Sequence, residues 1–580
     1  MDGSERQNKT FSIETRALLQ GMQSHDPQEY YKEAQKLIQK LETEIRALKC
    51  SCNVVAPIER LPPEVLSHVF SILRSYSLAG GDREWLVATH VCRRWRSAAL
   101  ECADLWSCID FSQPVGMVNA MLERSKEAPL SLEFDARYKP AMEKSSLTFR
   151  QALLYYAPRL SSITMLVGDR TVVSRLLAIR AFPRVAPMLE RIRIEGIFDN
   201  HDLPRRFLQI VIPSLRYLTV TGCRIPWERL PSTPQLTFLK LENDGRYRPS
   251  MQPFLQSLCS MPALKHLELI DFLPSSVFSL TDPTSLPSLQ ALVLVDGPTH
   301  LLNFFRCCRT IKADRVHLTV DAPGYAELME VQVLRCLGSL SQSWKDSTTG
   351  AYPARGRVRA LKLIDFNPDM NGYLLDPCIE CILKDGSDEP QLTLGFRSSF
   401  PHPDPLPYIA KSLDLSALHS LTVSNCENIS KWVWVIIFAP LTKLNTVEFL
   451  QSSITTFAEY LNEAWVPLPQ PSGKPFSSLK LIEFRGSCAG DSEDNGSSLS
   501  TLIKLLLSEK PGTIQDLRIS DCSIPEGTYE TLQCLLMQGE PHLPRIQLEN
   551  VYLTYPAEVF RVATLDTGPP QNAPADVEKE

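Results

Sequence analysis

The sequence predicts an α/β protein, an N-terminal helical unit followed by a curved solenoid of leucine-based repeats with a parallel concave sheet. Three observations predict it. A phrase of the form Leu-x-x-Leu-x-Leu, usually behind a proline, recurs from about residue 159 onward. A compact stretch with helical periodicity, residues 58–106, stands ahead of it. A charged amphipathic pattern covers residues 28–49, behind a polar segment, residues 1–27, that is expected to be flexible.

In residues 28–49, Tyr30, Ala34, Leu37, Leu41, Ile45 and Leu48 recur at spacings of three and four, with Lys and Glu between them. This spacing predicts an amphipathic helix. "KCSCNVVAP" is expected to break it. The stripe would serve either a seam between two chains or a face folded back on its own chain. The pattern is shorter than the three or four heptads a coiled coil needs, which favours packing on the same chain over dimerisation.

Residues 58–106 open on "LPPEVL". Pro62 and Pro63 suit the first turn of a helix, where a missing N–H costs nothing, and Glu64 suits the positive end of its dipole. Leu66, Val69, Phe70 and Leu73 are expected on one face, and "SLAGGD" ends the helix with two glycines. A second helix is expected with Val87, Val91, Trp95 and Ala98 on one stripe, and Leu105 and Trp106 close the unit. So short a unit has too little core to stand alone, so it must pack on something. Residues 107–158 read as a connector.

The array, residues 159–563, is read from "PSLRYLTVTGC" (213–223), "PALKHLELIDF" (262–272), "PSLQALVLVDG" (287–297) and their variants. First positions fall near 160, 189, 215, 236, 264, 289, 358, 389, 418, 444, 479, 514 and 543. The long step from 289 to 358 is expected to hide a degenerate copy near "DRVHLTVDA" (314–322). Such a period means stacked strands, because no single copy can bury its apolar face. The Leu-x-Leu alternation sends two side chains into a shared core and leaves those between them on the opposite face. The preceding proline can stand before a strand without removing a ladder donor, which explains part of an excess of 44 prolines over 25 glycines. "GDSEDNGSS" (490–498) reads as an acidic surface loop, and residues 564–580 as a disordered Pro-rich tail.

Composition narrows the function. A net charge of −6 gives no electrostatic case for nucleic acid or an anionic membrane. "WVWVIIFAPL" (432–441), the longest apolar run, is too short to span a bilayer and reads as a buried segment. Sixteen cysteines in 580 residues are too sparse for a disulfide scaffold, and the polar N-terminus does not resemble a signal peptide; an intracellular location, cytoplasmic or nuclear, is expected. Cys378-x-x-Cys381 lacks a second pair to complete a zinc site and reads as structural, as do Cys307 and Cys308. The sequence contains no phosphate-binding glycine loop, nucleophile elbow or His-Glu-x-x-His. No catalytic residue, cofactor or metal site is expected.

The stretch Ile58 to Trp106 resembles the F-box. The resemblance is carried by Leu61-Pro62-Pro63-Glu64-Val65-Leu66, Phe70, Leu73, Val91-Cys92-Arg93-Arg94-Trp95 and Leu105-Trp106. The whole chain is similar in architecture to the F-box proteins abundant in mushroom-forming fungi, with an N-terminal helix, the F-box and irregular leucine-rich repeats. One departure is "RSYSLAGGDRE", an inter-helix segment longer than is usual in an F-box. The resemblance implies docking on a Skp-type adaptor and through it on a cullin–RING ubiquitin ligase, with the array recruiting a substrate protein. Leu61, Pro62, Leu66, Val91 and Trp95 would carry the adaptor interface, Trp95 being the one best suited to the internal core instead. The alternative is a leucine-rich-repeat scaffold without ligase coupling.

Within the array, the side chains between the core leucines name the exposed face. They include Arg191, Arg193, Tyr217, Phe238, Lys240, His266, Glu268, Val293 and Val295. Both charge signs mixed with aromatics suit a protein surface and not a polyanion. Tyr217, Phe238 and His266, on neighbouring copies, are the predicted substrate-binding anchors.

Overall fold

A computed structural model describes residues 11–20, 26–80, 84–137, 143–168, 176, 185–196, 203, 210–223, 225, 233–246, 248–275, 284, 286–308, 313–321, 335–340, 357–365, 378–383, 389–397, 406–426, 429–464, 476–486, 499, 502, 514–538, 544–554 and 561–563. The acidic loop at 490–498 and the tail at 564–580 lie outside these residues. The chain divides into two compact units. One comprises residues 1–134, 143–148 and 159–161, the other residues 135–142, 149–158 and 162–580.

The first unit opens with α1 (Ile13–Gln20), inside the segment expected to be flexible, and α2 (Pro27–Val55). Lys40 of α2 donates to Glu14 of α1 at 2.5 Å. Pro27 stands in the first turn of α2, where its missing N–H costs nothing. The helix outruns its predicted end, Lys49. "CSCNVV" continues it, and it stops at Ala56, which Pro57 forces into extended backbone (φ −65°, ψ 135°).

A short 3₁₀ turn (Pro57–Arg60) leads to α3 (Pro63–Gly80). The second helix differs from expectation. Glu84–His90 is a 3₁₀ turn, and α4 begins only at Arg93 and runs to Glu101. Cys92 lies between them in extended backbone (φ −153°), its Sγ accepting the Trp95 N–H at 3.4 Å as a helix cap. The stripe from Val87 to Ala98 is therefore broken, and Val87 and Val91 are exposed. The stretch read as a connector is also structured. It holds β1 (Cys108–Asp110), α5 (Val115–Arg124), β2 (Leu130–Ala136) and α6 (Glu143–Tyr155). β1 and β2 pair in parallel, Cys108 opposite Ser131. Leu130, Leu132, Phe134 and Ala136 alternate into the core, a period-two signal written without the repeat's opening proline.

The second unit is built on short strands. β3 (Leu160–Val167), β4 (Arg191–Glu195), β5 (Tyr217–Thr221), β6 (Phe238–Glu242), β7 (His266–Ile270), β8 (Ala291–Asp296) and β9 (Arg315–Val320) pair in parallel in chain order. β9 is the degenerate copy expected near 314–322. The next three strands, β10 (Ala360–Ile364), β11 (Cys378–Ile382) and β12 (Leu392–Phe396), are laid down in reverse spatial order. β12 pairs in parallel with β9, β11 lies antiparallel between β12 and β10, and β10 pairs in parallel with β13 (Ser420–Ser424). The expected all-parallel sheet thus carries one reversed strand. Parallel order resumes through β14 (Thr446–Leu450), β15 (Leu481–Arg485), β16 (Asp516–Ser520) and β18 (Arg545–Glu549). A small separate sheet joins β17 (Ser523–Pro525), β19 (Val551–Thr554) and β20 (Arg561–Ala563).

A recurring turn ends these strands. Asp271, Asp365, Asn425, Gln451, Asp521 and Asn550 each follow a strand and have φ between 48° and 57°. Gly222 (φ 73°) and Gly486 (φ 84°) take the same place. The left-handed turn lets the residue's N–H reach the next strand: Asp271 donates to Val295 at 2.8 Å, Asp365 to Ser424 at 3.0 Å and Gly486 to Ser520 at 3.0 Å. Asp, Asn and Gly tolerate this backbone, so Asp271, Asp365, Asn425, Asp521, Asn550, Gly222 and Gly486 meet a backbone requirement where they close their repeat phrases.

On one face of each strand lies the core, such as Leu267 and Leu269 in β7 or Val447 and Phe449 in β14. "WVWVIIFAPL" is not buried throughout. It is a helical turn passing into a π-helix (Trp434–Phe438), with Val433, Trp434, Ile437 and Phe438 inward and Trp432, Val435 and Ile436 exposed. An unbroken apolar run still has two faces once it coils.

Candidate functional site

Two surfaces emerge, one on each unit. The first is built on α3 and α4. Leu66 and Phe70 of α3 are fully buried, and Phe70 packs on Trp95 of α4 with ring centroids 5.3 Å apart. Trp85 meets Trp106 edge to face at 5.4 Å, and the Trp106 indole N–H donates to the Ala99 carbonyl at 2.7 Å. The buried Arg74 guanidinium donates to the Asp104 carbonyl.

Arg94 fixes the opening of the unit. Its guanidinium donates to the backbone carbonyls of Glu59 and Leu61 and pairs with the Glu59 carboxylate at 3.2 Å. The planar fork satisfies three acceptors at once, which a lysine could not do in the same geometry. The Leu61-Pro62 turn is thereby tied to the Val-Cys-Arg-Arg-Trp phrase thirty residues on. Nothing local in the sequence marks Arg94 for this role, because its partners lie more than thirty residues away.

The predicted adaptor residues divide. Pro62 and Val91 are exposed, Leu61 and Trp95 are half-buried, and Leu66 has no exposed surface at all. Leu66 supports the unit from within and is not available for contact, a correction to its assignment. The reason is helical phase. Leu66 and Phe70 share the inward stripe, whereas Val65, Val69 and Ile72, at spacings of four and three, form the outward one. Val69, expected in the core, lies on this outward stripe. These three exposed side chains were missed, although the spacing that unites them is plain in the sequence.

The comparisons with known proteins bear on this unit. Residues 58–112 match the family model described as F-box-like. No curated protein matches the sequence. The chain therefore carries an F-box-like domain, whose matched span reaches past Trp106 to include β1.

The second surface is the half-exposed face of the sheet. Tyr217, Phe238 and His266 occupy equivalent positions on β5, β6 and β7, directly opposite one another. Tyr217 and Phe238 have centroids 6.1 Å apart, and Phe238 and His266 stack at 4.5 Å. The Arg191 guanidinium of β4 lies 4.7 Å above the Tyr217 ring. A continuous row of a cation and three rings thus crosses four strands. Two residues along, Lys240 donates to Glu268 at 2.5 Å, and His266 lies 3.7 Å from the same carboxylate. Burial alone would raise the Glu268 carboxyl, but the neighbouring His266 and the hydrogen bond from Lys240 hold it below the ordinary carboxylate range. Burial raises Glu242 instead. Val295, expected on this face, is buried.

Nothing among the described residues assembles a metal-binding group of three His, Cys, Asp or Glu. Cys378 and Cys381 both lie in β11, and a spacing of three in a strand sends side chains to opposite faces. Cys381 is buried, and Cys378 is half-buried on the other face. Burial pushes the Cys378 thiol up to about 11 and Cys381 higher still. Burial thus holds both thiols in the protonated form. Cys307 and Cys308 are buried and likewise raised by burial. Among the described residues no helix is long and apolar enough to cross a membrane.

Proposed function

We propose that the protein is the substrate-recognition subunit of a Skp–cullin–F-box ubiquitin ligase, acting inside the cell, with no catalytic centre of its own. The observation that carries this reading is the F-box-like match together with an outward apolar stripe, Val65, Val69 and Ile72, on the first helix of that domain. Three branched aliphatic side chains in the open cost solvation unless a partner covers them. A Skp-type adaptor is the partner that F-box domains generally bind. The second unit is read as an irregular leucine-rich-repeat solenoid, supported by its parallel strands and recurring left-handed turns. Its row of Tyr217, Phe238 and His266 is the proposed substrate anchor, since aromatics beside charged groups are the usual composition of interface hot spots.

Titration of the full-length protein against a purified Skp-type adaptor tests the first half. Val69→Asp should weaken binding by roughly 30-fold or more, the loss of about 2 kcal/mol expected at an interface anchor. Wild-type protein that does not bind the adaptor would leave an interaction scaffold without ligase coupling as the better reading.

A further inference from the structure

The helix α2 carries a second interaction surface that the F-box reading does not use. It runs 29 residues, and none of them is buried. The expectation that its apolar stripe folds back on the chain is met only at one edge. There Tyr30, Ala34, Leu37 and Leu41 are half-buried on the side where Lys40 reaches Glu14 of α1. The rest of the stripe stays open, with Ile38 at 56%, Ile45 at 50% and Leu48 at 68% exposure.

The continuation of the helix to Val55 changes what the stripe can be. Tyr31, Ile38, Ile45 and Cys52 fall at every seventh residue, and Ala34, Leu41, Leu48 and Val55 fall three residues after each. These are the a and d positions of a heptad, four pairs of them against the three that residues 28–49 hold, which meets the three or four heptads a coiled coil needs. In its centre the identities are Ile at a and Leu at d, the combination that favours two parallel strands. The flanks agree. Glu44 takes a g position and Lys49 the e position that a parallel partner's g residue meets, so each chain offers one attractive pair, and no like charges face one another at these flanks.

We infer that α2 pairs with α2 of a second copy of this chain as a parallel, in-register coiled coil, with Cys52 of one protomer facing Cys52 of its partner. The occupant is a second copy because the a, d, e and g positions are self-complementary in a way no unrelated surface needs to be. The inference is independent of adaptor docking, and its readout is indifferent to whether an adaptor binds. Its consequence is a particle bearing two F-box-like domains.

The test uses the full chain. Light scattering at micromolar concentration should give twice the 65.3 kDa of one chain. Ile45→Asp places a carboxylate in the seam and should raise the dimer dissociation constant at least about 100-fold, since an unpaired buried charge costs several kcal/mol. Thr43→Asp, on the opposite side of the helix, should leave the dimer intact, and circular dichroism should show both variants folded. Bismaleimidoethane, which adds a thiol across each of its two double bonds and needs no oxidant, should join the two chains. The cross-link should vanish in Cys52→Ser and persist in Cys50→Ser, because Cys50 points away from the seam. A wild type of 65.3 kDa, or a dimer that survives Ile45→Asp, would overturn the inference. A dimer whose cross-link does not depend on Cys52 would overturn the parallel register.

Discussion

The imidazole of His266 lies flat against the ring of Phe238, centroids 4.5 Å apart and planes within 8° of parallel. Adjacent parallel strands bring equivalent residues face to face, so the stack is a product of the register between β6 and β7. In the proposed substrate anchor the two rings would already be stacked against each other, which lowers the ordering cost of binding.

Phe238→Ala removes the middle ring of the row and should weaken array-dependent protein capture by at least about 10-fold, with no change in adaptor binding. Affinity purification of the two forms followed by quantitative mass spectrometry checks this. An unchanged set of partners in a folded variant would place the substrate site elsewhere.

Arg94→Met keeps the length of the side chain and deletes its contacts with Glu59 and Leu61. Two backbone carbonyls lose this donor and the Glu59 carboxylate loses its cation, so the first unit should lose about 2–3 kcal/mol of stability. Hydrogen exchange should show the change first in residues 57–66. The predicted order of effect is Arg94→Met well above Arg93→Met, whose side chain is exposed.

Gln451 is the one long side chain among the strand-ending residues with φ near 50°. Left-handed backbone costs an ordinary residue roughly 1–2 kcal/mol, and Asn less. Gln451→Asn should therefore stabilise the second unit by about 0.5–1 kcal/mol, seen as a rise in the midpoint of urea unfolding. The N–H bond from residue 451 to the Arg485 carbonyl, 2.9 Å, is retained.

Asp271 adds a pH dependence. Burial, with the neighbouring Asp296 charge, raises its carboxyl above the ordinary range despite Arg397 at 3.1 Å. A carboxyl raised on folding opposes the folded state once ionised. The cost is absent below its unfolded pKa and complete above its folded one. Asp271→Asn should then be more stable than wild type at pH 7, with the gap closing as pH falls toward the carboxylate range. Asparagine suits the same left-handed turn, and Arg397 keeps Asp321 at 3.1 Å. Paired urea titrations across that range measure the gap. A gap independent of pH would show that the Asp271 charge is not what opposes folding.

Most of the strands were legible because their signal is local. Leu267 and Leu269 alternate in any parallel strand that buries one face, and so do Leu218 and Val220. Even the copy at β9 could be placed without its proline. The reversal at β11 was not legible, because "CIECI" alternates as any strand does and nothing local records which neighbour it meets. Asp, Asn and Gly are visible after many of the phrases, but which of them turn left-handed, as Asp271 does and Gly297 does not, appears only when φ is known.

The sequence by itself determined the order of units, the α/β class, the F-box-like stretch and the row on which Tyr217, Phe238 and His266 stand. Each follows from periodicity or from side chains a few residues apart. Only the tertiary structure decided which apolar residues are free. Leu66 and Val65 are adjacent and equally apolar, but the rotation of α3 against Trp85, Trp95 and Trp106 buries the first and exposes the second. It also decided that Ile38, Ile45 and Leu48 of α2 remain open while Ala34, Leu37 and Leu41 are half-buried, because burial depends on what else the chain brings to a surface. Periodicity fixes the face a residue shares with its neighbours. Packing fixes whether that face is core or surface.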